Sequence, residues 1–320
     1  MAEATRTGRA RTGRRFSAAA FARHRRAFLF ILPALTLYVV FIVYPLALSL
    51  WGSLFRWRGL RQQGFIGLDN FVRLVEPPSR DLLFGAFGHN VIWFAGVMLL
   101  QNGLGLIFAY LLFRRGRGTA LLQSVFFFPA VLSPVIVGAL WKLLLSPEGA
   151  VEAMLSALGL MEGRLTILGN STYALYVLIA IDAWNWMGLP VLIFLAGLRQ
   201  IHPSVFEAAR LDGAGPVRTL WSIALPLLVP AVSSLTTLSF INTFNQFDLV
   251  YVMQGVAGNP NYATDTLVTY FYRLAFGAIG AVGITDIGLA LALGSALFLL
   301  LTLVTILLIR FFERRTVQPA

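Results

Sequence analysis

The sequence predicts an all-α integral membrane protein that crosses the bilayer six times. Of its 320 residues, 58% are apolar and 12% are charged, whereas about a quarter of the residues in a soluble domain are charged. The mean hydropathy is +0.77. The apolar residues are gathered in six runs, each close to the ~20 residues that a helix needs to span a membrane.

The first span is expected at 28–50, preceded by an arginine-rich segment, 1–27, that is predicted to be a disordered cytoplasmic tail. This run is longer than the apolar core of a signal peptide, about 7–15 residues, and five more runs follow it, which indicates a retained helix. The other spans are expected near 91–113, 120–145, 173–195, 221–244 and 283–309. The third contains Pro129 and Pro134, which packed membrane bundles tolerate.

Three polar segments separate the spans on the predicted external side, at 51–89, 146–172 and 245–280. In the second, apolar residues recur with the i, i+3, i+4, i+7 spacing of an amphipathic helix. These residues are Val151, Met154, Leu155 and Leu158. We expect this helix to lie on the outer membrane interface.

The basic residues predict which side of the membrane each segment faces. Eight arginines precede residue 27, and others cluster at 114–117 and at 310–315. Lysine and arginine concentrate on the cytoplasmic side of membrane spans, so both termini, including a tail at 312–320, are predicted to be cytoplasmic. Five arginines in 51–89 oppose this assignment but are outnumbered. Because the basic residues flank the spans, the net charge of +11 does not indicate nucleic-acid binding.

A polar loop at about 198–226 has signals for two helices joined by an elbow. Pro203 and Ser204 suit a helix start, and Ser204 with Glu207 has the spacing of a capping box. Gly213 tolerates the left-handed backbone that ends a helix. Gly215-Pro216 predicts a restart, because proline is favoured in the first turn.

The same loop carries a motif in which Glu207-Ala208-Ala209 is followed by Gly213 and then by Ile223, Leu225 and Pro226. This spacing resembles the signature of permease subunits of ATP-driven (ABC-type) importers. The segments 67–71, 126–134 and 195–198 are similar to the carbohydrate-uptake class, which includes maltose and glycerol-3-phosphate systems. The resemblance covers most of a permease domain at 28–311, and is to the first of the two permeases.

The resemblance implies a type I ABC importer permease fold in a bacterial plasma (inner) membrane. It also implies four partners: a second permease subunit, an ATPase dimer, an external solute-binding protein and a sugar substrate. ATP would be bound by the ATPase, so no cofactor is expected in this chain. Small side chains at 208 and 209 would let the ATPase approach closely. The residues expected to couple to the ATPase are Glu207, Ala208, Ala209, Asp212, Gly213 and Pro226.

Polar and aromatic residues within the spans are candidates for the substrate pathway, because polar groups inside a membrane are costly. Amides hydrogen-bond sugar hydroxyls and aromatic rings cover sugar faces. The candidates are Asp182, Asn185, Asn242, Phe244, Asn245 and Gln246. The alternative is that these amides hold helices together, which is the role expected for Gln101 and Asn102.

The sequence lacks the residues for ATP hydrolysis and for a metal site. The only lysine, Lys142, follows Trp141, so the chain has no glycine–lysine phosphate loop and is not predicted to be an enzyme. It has no cysteine and three dispersed histidines, so no metal site is expected. Two alternatives stay open: an ion-gradient-driven secondary transporter, and an ABC permease for a polyamine, phosphate or another non-sugar solute.

Overall fold

The computed structural model describes residues 29–115, 119–160, 164, 166–277 and 285–314. The predicted tail 1–27 and residues 315–320 of the C-terminal tail lie outside these ranges. The helices and strands are α1 Leu29–Gly52, β1 Phe55–Arg58, β2 Arg61–Phe65, α2 Asp69–Leu74, α3 Ser79–Arg115, α4 Thr119–Val131, α5 Pro134–Leu144, α6 Ala150–Ala157, α7 Ala174–Trp186, α8 Gly188–Gln200, α9 Pro203–Leu211, α10 Pro216–Leu227, α11 Val229–Phe244, α12 Asp248–Gln254, α13 Leu267–Phe276 and α14 Ile287–Glu313.

The described residues contain between three and six candidate membrane spans. Helices α1, α3 and α14 are each long and apolar enough to cross a bilayer. Three further pairs qualify only when two helices are taken together, and they bend by 91° (α4 and α5), 48° (α7 and α8) and 77° (α10 and α11). Each of the spans predicted at 120–145, 173–195 and 221–244 therefore consists of two helices joined at a bend.

A proline accounts for each of the three bends. Pro134, Pro190 and Pro230 are respectively the first, third and second residues of the helices that follow the three bends. Proline has no N–H to donate to the carbonyl four residues earlier, and its ring collides with that carbonyl. At the first bend, Ser133 is extended (φ −60°, ψ 138°), and its side chain caps α5 by accepting a hydrogen bond from Val135 N.

The chain divides into two compact units, of which the first ends at Trp51 and the second begins at Gly52. The described part of the first unit is a single apolar helix whose side chains are exposed along its length. Such a surface suits contact with acyl chains or with other apolar helices. All the other described residues belong to the second unit.

The segments predicted to be loops are more ordered than expected. Strands β1 and β2 form an antiparallel hairpin, so the all-α prediction is wrong for this segment. Helix α3 begins at Ser79, which is twelve residues before the predicted start of the second span. Helix α6 confirms the amphipathic helix: Val151 and Leu155 pack against the core, whereas Met154 and Leu158 are exposed.

The segment at 245–280 contains two helices, α12 and α13, and a buried ion pair fixes α13 to the loop between them. Arg273 donates to Asp265 at 2.5 Å, and their side chains are 9% and 2% exposed. Thr269 also donates to Asp265, from its hydroxyl, at 2.6 Å. A polar composition here reflects this internal network, and not a solvated loop.

Close helix contacts in the second unit depend on glycine. A Cβ at Gly188 would lie 2.6 Å from the carbonyl oxygen of Phe126, and a Cβ at Gly105 would lie 2.7 Å from the Pro190 side chain. Without side chains at these positions, α8 packs closely on both α3 and α4, as small residues allow in membrane proteins. One core cluster built on these helices extends to Phe206 and Leu220.

Candidate functional site

The elbow predicted at 198–226 is present, but its first helix begins differently from the prediction. Helix α9 starts at Pro203, and its N-cap is His202, whose Nδ1 accepts from Ser204 N at 3.3 Å. The predicted capping box of Ser204 and Glu207 is therefore wrong. Pro203 occupies the first helical position, which it favours, and this places Ser204 inside the helix.

The end of α9 confirms the role predicted for Gly213. Its φ is +70°, its N–H donates to Arg210 O at 3.1 Å, and Ala214 N–H donates to Ala209 O at 2.9 Å. This pair of bonds is a Schellman motif, which satisfies carbonyls that the helix end would otherwise leave unpaired. Pro216 then starts α10, as predicted.

The elbow has an inward and an outward face. Phe206 and Ala209 are buried, and the Phe206 ring lies 5.0 Å from that of Phe113 at the end of α3. Glu207 and Ala208 are exposed. The two alanines expected to admit a partner thus differ, because Ala208 faces outward and Ala209 packs inside.

The outward face continues beyond α9 and combines charge with exposed apolar residues. Asp212, Gly213 and Pro226 are exposed, and Leu211 and Val217 are 89% and 71% exposed. Single exposed apolar residues are ordinary on a protein surface. Here, however, Leu211 and Val217 flank the hydrogen-bonded turn at Gly213, beside the carboxylates of Glu207 and Asp212. Such a surface can dock a complementary partner.

Three elements bring the polar candidates around Asp182 together. Asp182 on α7 accepts from Trp93 Nε1 on α3 at 2.8 Å, and the Gln246 side chain, just after α11, lies close to the same carboxyl group. The sequence analysis did not single out Trp93. No local pattern in the sequence relates Trp93 to Asp182, which follows it by 89 residues.

The remaining candidates separate into buried and exposed groups. Asn185 is buried, and its Oδ1 has no hydrogen-bond partner among the described residues. Phe244 is buried in a core cluster, 4.7 Å from the Phe240 ring. Asn242 and Asn245 are exposed, and Asn245 Nδ2 donates to Ile241 O. Their roles in a substrate pathway stay predictions.

The amide at Asn102 has the packing role that was expected. Its Nδ2 donates to the Ser239 hydroxyl on α11 at 2.8 Å in a buried setting. Asn90, which the sequence analysis did not consider, acts similarly by donating to Thr243 O and accepting from Leu267 N. Within the ranges described, no group of three or more His, Cys, Asp or Glu residues could hold a metal ion.

Comparison with known proteins identifies the family. Residues 101–318 match the family described as "Binding-protein-dependent transport system inner membrane component". The lactose transport system permease protein LacF of Rhizobium radiobacter is 32% identical, over 78% of this chain and 82% of that protein. The sn-glycerol-3-phosphate transport system permease protein UgpA of Yersinia pseudotuberculosis is 30% identical, over 90% and 94%.

A solved structure supports the fold. The chain superposes on a chain of a bacterial ABC transporter involved in import of the acidic polysaccharide alginate. The TM-score is 0.76 at 22% identity, and the match covers 93% of this chain and 99% of that chain. The family consists of transport permeases rather than enzymes. The chain therefore belongs to the inner-membrane permease components of binding-protein-dependent transport systems.

Proposed function

We propose that this chain is one of two permease subunits of an ATP-driven importer, and that it forms with the second permease the path for a sugar or sugar derivative. The observation that carries the proposal is the elbow. On its inward face Phe206 and Ala209 are packed in the core, while on its outward face Glu207 and Ala208 are exposed, one turn or more before the Gly213 turn. An ATPase dimer docking on this face would transmit its closure directly to α10 and α11.

The proposal includes a position in a bacterial inner membrane, with the elbow and both termini on the cytoplasmic side. The end of α3, with Arg114 and Arg115, lies beside the elbow, since Phe113 contacts Phe206. Arginines concentrate on the cytoplasmic side, so the charge pattern and the position of the elbow agree.

A sugar is the substrate class that the site chemistry favours. The group formed by Asp182, Trp93 and Gln246 combines a carboxylate, an indole and an amide. The exposed amides of Asn242, in α11, and Asn245, just after it, lie within four residues of Gln246 along the chain. The relatives named above carry lactose and glycerol-3-phosphate. Carboxylates at Asp182 and Asp248 would disfavour an anionic non-sugar solute such as phosphate, so a sugar or sugar derivative is the preferred substrate, delivered by an external solute-binding protein.

Affinity purification of the tagged chain from its native membranes, with mass spectrometry of what accompanies it, tests the proposal. We expect an ATPase and a second permease of similar size, with a solute-binding protein retained when substrate is present. Recovery of the chain alone or as a homodimer in mild detergent would contradict the proposal and favour an ion-driven secondary transporter.

A further inference from the structure

Two adjoining clefts lie where α3 ends, next to the elbow. The first, about 430 Å³, is lined by residues of α3, α9 and α10, among them Tyr110, Phe113, Arg114, Phe206, Arg210 and Thr219. The second, about 490 Å³, lies between α3 and α4 and is lined by Phe108, Leu111, Leu112, Arg115, Leu122 and Phe126. Arg114 lines both clefts, so the two form one continuous surface.

The first cleft carries positive charge without a matching negative charge. Neither Arg114 nor Arg210 forms an ion pair with any residue that the structure describes. The Arg114 guanidinium has only the face of the Tyr110 ring, 6.0 Å away, which is at the limit of a cation–π contact. Glu207 lies one turn before Arg210 on α9 but makes no ion pair with it. The charge of this cleft therefore complements an anionic ligand.

The second cleft is apolar except at its rim. The Phe108 and Phe126 rings pack 4.8 Å apart in its wall, and Leu111 is half exposed on α3. Arg114 and Arg115 stand at the end where α3 stops. An apolar groove on membrane-spanning helices with arginines at its cytoplasmic end complements a molecule that has an acyl chain and an anionic head.

We propose that these clefts bind an acidic phospholipid of the cytoplasmic leaflet, with its phosphate between Arg114 and Arg210 and an acyl chain along the groove of Leu111 and Phe126. The proposal uses the membrane orientation given under the proposed function. Basic pockets between membrane helices on the cytoplasmic side suit anionic headgroups. The bound lipid joins the end of α3 to the coupling helix α9, so it stabilises the elbow in the position seen here.

Native mass spectrometry of the purified full-length chain tests this site with defined lipids. Dioleoyl phosphatidylglycerol is expected to bind more tightly than dioleoyl phosphatidylcholine. Arg114→Gln and Arg210→Gln should each weaken phosphatidylglycerol binding about fivefold, the effect expected of one basic residue near an anionic headgroup. The matched control is Arg310→Gln, which removes an exposed arginine at the end of α14 and should leave binding unchanged.

Two further measurements distinguish a bound phospholipid from free phosphate or a bound protein. Leu111→Trp fills the apolar groove and should weaken binding of both lipids, while excess inorganic phosphate should not displace phosphatidylglycerol. Equal binding of the two lipids, displacement by phosphate, or equal effects of Arg210→Gln and Arg310→Gln would overturn the proposal. If the arginine variants release the ATPase but bind lipid normally, the cleft is a protein interface and the lipid site is refuted. Lipid binding is measured without the ATPase, so a failure of this proposal is distinct from a failure of the importer function.

Discussion

Replacing Gly213 by alanine isolates the contribution of the left-handed turn to the elbow. Gly213 has φ +70°, and a Cβ built there has no heavy atom within 4 Å, so alanine meets no steric obstacle. The cost is conformational, about 1–2 kcal/mol for an L-residue in this region. This corresponds to a factor of about 5–30 in the population of the observed turn. Because a partner's apparent affinity falls with the competent fraction, ATPase binding should weaken by up to that factor.

The assay is titration of the detergent-solubilised permease pair with the ATPase, read as the dissociation constant. Gly215→Ala is the matched control, since Gly215 has φ −67° and an equally open Cβ direction. It should bind as the wild type does. Gly213→Asn should recover part of the loss, because asparagine tolerates the left-handed region. Equal effects of Gly213→Ala and Gly215→Ala would refute the reasoning.

Three other substitutions test the packing and the pathway. Gly188→Ala forces a Cβ against the Phe126 carbonyl and should destabilise the protein by about 1–3 kcal/mol. Gly85→Ala is the control, because Gly85 lies in open space on α3, and it should not change the stability. Thermal unfolding in detergent compares the two variants. Asn242→Ala should raise the substrate concentration needed for half-maximal uptake without changing the unfolding midpoint. Asn102→Ala should lower the unfolding midpoint without changing the uptake curve. An unchanged uptake curve for Asn242→Ala would remove Asn242 from the pathway. Arg273→Gln leaves buried Asp265 unpaired and should cost about 3–5 kcal/mol, with part of that regained in the double variant that also carries Asp265→Asn; no regain would contradict the pairing.

The sequence was sufficient for the elements whose signals are local. The Gly213 turn, the restart at Pro216 and the amphipathic helix at 150–157 follow from backbone preference and periodicity, and the structure has all three. The capping prediction failed because two local signals competed. Pro203 claims the first helical position, and His202 then supplies the cap that Ser204 was expected to give.

The remaining differences depend on contacts between distant parts of the chain. The prolines at 134, 190 and 230 were visible, but whether a membrane helix absorbs a proline or bends at it depends on how neighbouring helices pack. The hydrogen bond from Trp93 to Asp182 joins residues 89 positions apart. Likewise, Ala208 and Ala209 are the same residue type, and Ala209 is buried because it lies on the face of α9 that carries Phe206, whose ring packs against Phe113.

The most direct measurement of the central claim uses a single cysteine introduced in place of Ala208. The chain has no cysteine of its own, so Ala208→Cys can carry a photo-crosslinker at one exposed position of α9. We expect this thiol to react with a membrane-impermeant maleimide only from the cytoplasmic side and to crosslink to the ATPase. Ala209→Cys, at a buried position, should react slowly, and Arg80→Cys should react only from outside. Labelling of the Ala208→Cys variant from outside, or an ATPase adduct from position 80 in place of 208, would contradict the account.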